Sequence, residues 1–235
     1  MTKRYWWVII TYIIMQFSSI LVLPIAKMYS LDRLEVMHLA INWSIYSFII
    51  GLIIVLFLMK PDMKMESRSD AASVSQAVSW SIIGVFMAFA SQAIAGLIET
   101  HLLGITQGSE NTENIMNITL TTPLFMIIPM IIAPILEEVI FRKIIFGSLY
   151  KRFNFFVSAL LSAFVFGIIH GEPQHILIYA GMGFVFAFLY VKTKRIIVPI
   201  VVHMAMNSTT VLALYFSPED LEQQLKEMQM ILFGG

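Results

Sequence analysis

The chain has 235 residues, 58% hydrophobic and 13% charged, with a mean hydropathy of +0.82. That balance excludes a solvated globular domain. Apolar runs of about 20 residues without barrel-type alternation define an all-α, polytopic membrane protein. Fifteen basic and fifteen acidic residues cancel, which argues against a nucleic-acid partner, and the absence of cysteine excludes disulfides and thiolate chemistry.

Seven spans are predicted, at 5–26, 39–59, 76–98, 119–141, 155–170, 174–191 and 197–216, the fifth and sixth being short. The first is read as retained, because its apolar stretch is long and no small-residue cleavage site follows it. Tyr5, Trp6 and Trp7 read as interface anchors. With the N-terminus inside, only Lys27, Arg33 and Lys226 of the fifteen Lys and Arg fall outside. This predicts a cytoplasmic N-terminus and an external C-terminus in a bacterial-type plasma membrane. Residues 67–76 form a polar inner loop and 100–114 an outer loop, with His38 and His101 solvated outside. The small residues of AGMGFVFA (180–187) read as a close helix-packing face. Residues 1–216 are read as one transmembrane domain. The tail 217–235 follows, where Ser217 and Pro218 start a short amphipathic helix lying on the membrane surface.

Charge within the fourth span is the anomaly. ILEEVIFRK (135–143) carries Glu137, Glu138 and Arg142, although an ionised side chain near a bilayer centre costs about 2.5–3.5 kcal/mol on insertion scales. Glu138 and Arg142 lie four apart on one helical face and can pair, whereas Glu137 points about 100° away. One carboxylate is thus left to face a polar cavity. Downstream, FGIIH (166–170) ends the fifth span with His170, and VPIVVHMAMN (198–207) puts His203 and Asn207 four apart on one face. Taken singly, these are ordinary packing histidines and an interhelical amide bond. Together they supply a base, two imidazoles and an amide donor, the assortment that acyl transfer uses to activate water and hold an oxyanion. His175, after Gly171 and Pro173, reads either as a rim residue or as a further member.

These residues also fall in three motifs: E-E-x-x-x-R (Glu137, Glu138, Arg142), F-x-x-x-H (Phe166, His170) and H-x-x-x-N (His203, Asn207). In that order, on consecutive spans, they resemble the CAAX protease and bacteriocin-processing (CPBP or Abi) family of intramembrane endopeptidases. The resemblance implies that Glu137 is the general base on the attacking water, assisted by His170. It implies that His203 and Asn207 stabilise the oxyanion and that Glu138 and Arg142 support the site. The substrate would be a membrane-associated peptide or protein. The family is often described as metalloproteases, and Glu137, His170 and His203 could ligate zinc. There is no H-E-x-x-H signature, however, and the expectation is a glutamate-activated water without a tightly bound metal.

Two other classes compete. A non-catalytic immunity or regulatory scaffold of the same family would be expected to have lost motif residues, and none is replaced. A proton-coupled transporter predicts matching interrupted halves, whereas the polar residues here cluster in the last four spans. The peptidase reading requires the four side chains to converge. Counting along the helices, it also requires the turn at 151–154 to project beyond the bilayer, so that Glu137 and His170 reach the depth of His203.

Overall fold

The computed structural model describes residues 1–65, 70–105 and 108–216. It is an all-α polytopic membrane protein. Its helices are α1 (Lys3–Met28), α2 (Arg33–Met65), α3 (Val74–Leu103), α4 (Glu110–Thr121), α5 (Pro123–Leu149), α6 (Phe155–Ile169), α7 (Pro173–Thr193) and α8 (Ile197–Phe216). Among the described residues six helices are long and apolar enough to cross a membrane, and α6 is a shorter apolar helix of 15 residues. The expected amphipathic helix of the C-terminal tail lies outside the described residues.

Two expectations need correction. The fourth span does not end at 141: α5 continues to Leu149, so Glu137, Glu138 and Arg142 sit inside a long helix rather than at its end. The supposed outer loop 100–114 contains the start of α4. Ser109 caps that helix by accepting the Thr112 N–H at 3.0 Å, and Glu110 and Glu113 occupy its first turn, where the helix dipole favours acids.

Helix α7 packs most extensively against α3 and α6, while α8 lies against α3 and α5 and α1 against α2. Close approach needs glycine. A Cβ on Gly183 would meet the Ala163 Cβ at 3.0 Å, and one on Gly181 would meet the Ser91 Oγ at 2.7 Å, so the 180–187 stripe is a packing face. At the other end of the bundle Tyr5 turns inward and donates to Asp62 at 2.8 Å beside Arg4, while Trp6 and Trp7 stay exposed as anchors would.

Candidate active site

Helix α5 is not a regular α-helix. Residues Ile128–Ile132 and Glu138–Phe146 are π-helical, a widening often seen at functional sites. The first widening has a local cause. The Ala133 N–H bonds the Ile128 carbonyl, five residues back, and the next donor in that register would be Pro134, which has no N–H. The Pro129 carbonyl is left over, and the Asn207 side-chain amide on α8 donates to it at 2.9 Å. A buried serine makes a similar cross-tie, Ser162 on α6 donating to the Phe141 carbonyl at 2.8 Å.

These ties hold α5 against α6 and α8, and His203 arrives between the two glutamates. Its Nδ1 is 2.9 Å from Glu138 Oε1 and its Nε2 is 3.7 Å from Glu137 Oε2. The adjacent carboxylates therefore have separate occupations, one on each ring nitrogen. Glu138, fully buried, also makes the expected ion pair with Arg142, Oε2 to Nε at 2.9 Å. That contact is close but poorly aligned, and Nε, Nη1 and Nη2 of Arg142 have no hydrogen-bond partner among the described residues. The rings of Phe166, Phe186 and Phe141 surround the guanidinium instead, with centroids 4.6, 5.1 and 5.8 Å from its central carbon. Phe186 also stacks on His203 at 4.9 Å. Arg142 thus anchors Glu138, Glu138 orients His203, and His203 faces Glu137.

His170 owes its place to the end of α6. Gly171 takes φ +74°, the left-handed turn that closes a helix, and leaves His170 as the last residue before the break. Its Nδ1 lies 2.7 Å from the Phe166 carbonyl, which makes Nδ1 the donor and leaves Nε2 of a neutral ring as an acceptor. Its other face stacks on Tyr179 at 4.1 Å.

Glu137, His170, His203 and Asn207 all line one cavity of about 800 Å³. Of the four, Glu137 and His203 face each other at 3.7 Å, while His170 and Asn207 are bonded to the carbonyls of Phe166 and Pro129. The donor chemistry suits the zinc alternative: with Nδ1 of His203 held by Glu138 and Nδ1 of His170 by the Phe166 carbonyl, both Nε2 atoms are left as ligands on the cavity that Glu137 also lines. The geometry does not assemble them: among the described residues no three His, Asp or Glu side chains are close enough to form a metal-ligand set.

His175 is more than a rim residue: it is buried, lines the cavity and pairs with Glu99 on α3, Nδ1 to Oε2 at 2.9 Å. Glu99 also accepts the Leu177 and Ile178 N–H groups at 3.1 and 3.3 Å, capping the α-helical part of α7 from a neighbouring helix. Glu172 does the same for α4, accepting the Asn111 N–H at 3.2 Å and the Ser109 hydroxyl at 2.9 Å, and it also receives the Tyr179 hydroxyl. Burial alone would raise the Glu172 carboxyl, but those three hydrogen bonds outweigh it and hold the group below the usual carboxylate range. Sequence reasoning missed Glu99, Glu172 and Tyr179. The one signal available for Glu99 was an acid directly after an apolar span.

A helical membrane bundle that brings a carboxylate, two imidazoles and an amide to the lining of one cavity has the make-up of a membrane-embedded hydrolase site. The comparisons agree. The family profile described as type II CAAX prenyl endopeptidase, Rce1-like, matches residues 119–209. The putative membrane peptidase YdiL of Bacillus subtilis is 43% identical, the match covering 100% of this chain and 99% of that protein. The membrane-embedded CAAX protease MroQ of Staphylococcus aureus is 28% identical over 95% of this chain and 94% of its own length. No solved structure matches significantly. The chain belongs to the CAAX protease family of membrane peptidases, the CPBP family.

Proposed function

We propose that the protein is an intramembrane endopeptidase that hydrolyses a peptide bond of a membrane-associated peptide or protein, with Glu137 as the general base. The observation that carries the reading is the gap between Glu137 Oε2 and His203 Nε2. At 3.7 Å it is too long for a direct hydrogen bond, and a single water can touch both atoms. Glu137 takes a proton from that water as its oxygen attacks the scissile carbonyl, and the same proton passes to the departing amine. His170, with Nε2 as an acceptor, assists the proton transfers. The Asn207 amide has a second N–H beyond the one donated to Pro129, and with His203 in its protonated form it stabilises the oxyanion. Glu138 and Arg142 hold His203 in place. In this reading the N-terminus is cytoplasmic and the C-terminus external.

The test compares the membrane-peptide profiles of cells carrying the wild-type protein and Glu137→Gln, which keeps the side chain's shape and removes the base. Peptides that disappear only in wild-type cells are expected. Identical profiles, with both proteins present in the membrane, would overturn the reading.

A further inference from the structure

The ring of His170 is held by its own helix at a single point. Its Nδ1 lies 2.7 Å from the Phe166 carbonyl, and one hydrogen bond leaves a ring free to swing about that contact. No further helical turn confines it, because Gly171 breaks α6 directly afterwards. The plane of the ring, and with it the direction of Nε2, has to be set by a neighbour.

Tyr179 on α7 is placed to do this. Its ring stacks on His170 with centroids 4.1 Å apart and planes 24° from parallel, whereas Phe166 meets His170 edge-on at 4.6 Å and 63°. Gly167 makes the approach possible. It lies three residues before His170 on the same face of α6, and a Cβ there would meet Ile176 Cγ1 at 3.0 Å and Tyr179 Cβ at 3.5 Å. Tyr179 is itself fixed at both ends, by its Cβ on α7 and by its hydroxyl, which donates to the buried carboxylate of Glu172. Glu172 is tied in turn to the start of α4, accepting the Ser109 hydroxyl at 2.9 Å and the Asn111 N–H at 3.2 Å. With its hydroxyl proton committed to Glu172, Tyr179 presents a flat, anchored face to His170.

We infer that Tyr179 is a positioning residue: its face, anchored through Glu172, sets the plane of the His170 ring and so the direction in which Nε2 can take part in proton transfer. A group that moves protons has to be held within about 0.5 Å and 10–20° of its productive geometry. The consequence for rate rests on the peptidase reading, while the placement of the ring does not. Ordinary aromatic packing would make Tyr179 a stability residue whose loss leaves the turnover of folded protein unchanged.

Two variants separate the parts. Tyr179→Phe keeps a stacking ring and loses the anchor, and Tyr179→Leu loses both. In full-length protein with isotope-labelled histidine, studied by NMR in detergent, the His170 ring signals are assigned by their loss in His170→Ala. A stacked tyrosine face moves the His170 ring protons upfield. That shift is expected to be full in wild type, reduced in Tyr179→Phe and absent in Tyr179→Leu. The kinetic measurement uses liposomes and internally quenched peptides bearing sequences that wild-type cells lose and Glu137→Gln cells keep. Tyr179→Leu should lower kcat roughly 10- to 100-fold with KM within about twofold, and Tyr179→Phe should restore part of the loss. Wild-type ring protons at the position of an unstacked histidine, or a wild-type kcat in folded Tyr179→Leu, overturn the inference. Tyr179→Phe identical to wild type in both measurements overturns the anchor, and Tyr179→Phe as impaired as Tyr179→Leu overturns the stack. If Tyr179→Leu fails to accumulate, the Phe variant decides by the same two readouts. If wild type cleaves no peptide, the peptidase reading fails and the ring shifts alone decide what Tyr179 does.

Discussion

Arg142→Ala should be a stability lesion first and a catalytic lesion second. The guanidinium is fully buried, 2.9 Å from Glu138 and inside three phenylalanine rings. Removing it leaves a buried carboxylate with His203 as its remaining side-chain partner and a void among the rings. Breaking a buried ion pair by deleting one member costs about 3–5 kcal/mol, because the other charge stays behind without compensation. For a chain of this length each kcal/mol corresponds to about 2–4 °C, so the melting temperature in detergent should fall by about 6–20 °C. Arg142→Met combined with Glu138→Gln removes both charges and refills the space, and should recover much of that loss. The readouts are membrane abundance and thermal unfolding of purified protein. If Arg142→Ala accumulates and melts like wild type, the pair is solvated and the chain of support from Arg142 to His203 is wrong. If the double variant is no better than Arg142→Ala, the loss comes from the aromatic cage and not from an unpaired Glu138.

Glu137→Gln should fold, insert and melt like wild type while losing activity; activity within a few-fold of wild type would remove Glu137 from the base role. Asn207→Ala should lower kcat by about 10²–10³ through the lost oxyanion donor, and should destabilise by about 1–3 kcal/mol because the Pro129 carbonyl loses the Asn207 amide, a combination that kinetics and melting measure separately. Gly183→Val should separate α6 from α7, since even a Cβ would touch Ala163 at 3.0 Å, and a protein as abundant and heat-resistant as wild type would show that the helices can part freely. The depressed Glu172 carboxyl contributes stability that is present above the ordinary value of 4.5 and lost as pH falls through its lower folded value. Acid melting should therefore steepen below about pH 4.5 in wild type and less so in Glu172→Gln.

What was legible in the sequence was local. Glu138 and Arg142 are one helical turn apart, and so are His203 and Asn207, so a helix of any provenance places each pair on one face. The cost of charge in lipid then marks those residues as purposeful. What was not legible depends on irregular backbone or on distant helices. The first π-helical widening in α5 follows from Pro134 falling where a donor was due, and it decides that Asn207 spends one amide proton on Pro129. No spacing rule on α8 announces that. Glu99 lies 76 positions before His175, and Glu172 lies 61 after Asn111, so neither contact leaves a periodic trace. The end of α5 was misjudged because Arg142 and Lys143 look like an interface. Enclosure of the guanidinium by Phe141, Phe166 and Phe186, residues from three different helices, is what lets the helix run on to Leu149 with that charge inside it.

The buried glutamates differ from Glu137, the carboxylate proposed as the base, in what holds them. Glu99 and Glu172 accept from groups the fold must satisfy anyway, helix-terminal N–H groups together with an imidazole or hydroxyls, and Glu138 is held by the His203 ring and by the charge of Arg142. Their charge is spent on architecture and is unavailable to substrate. Glu137 is built differently. Its contact with His203 is 3.7 Å, beyond hydrogen-bond reach, and its largely buried side chain lines the cavity. A carboxylate fully satisfied by the protein would be a poor base, because taking a proton would break its existing bonds. One held a water's width from an oriented imidazole loses little on protonation. The difference between Glu137 and Glu138, adjacent in sequence and identical in chemistry, follows from which nitrogen of His203 each one faces and from the Arg142 guanidinium that pairs with Glu138.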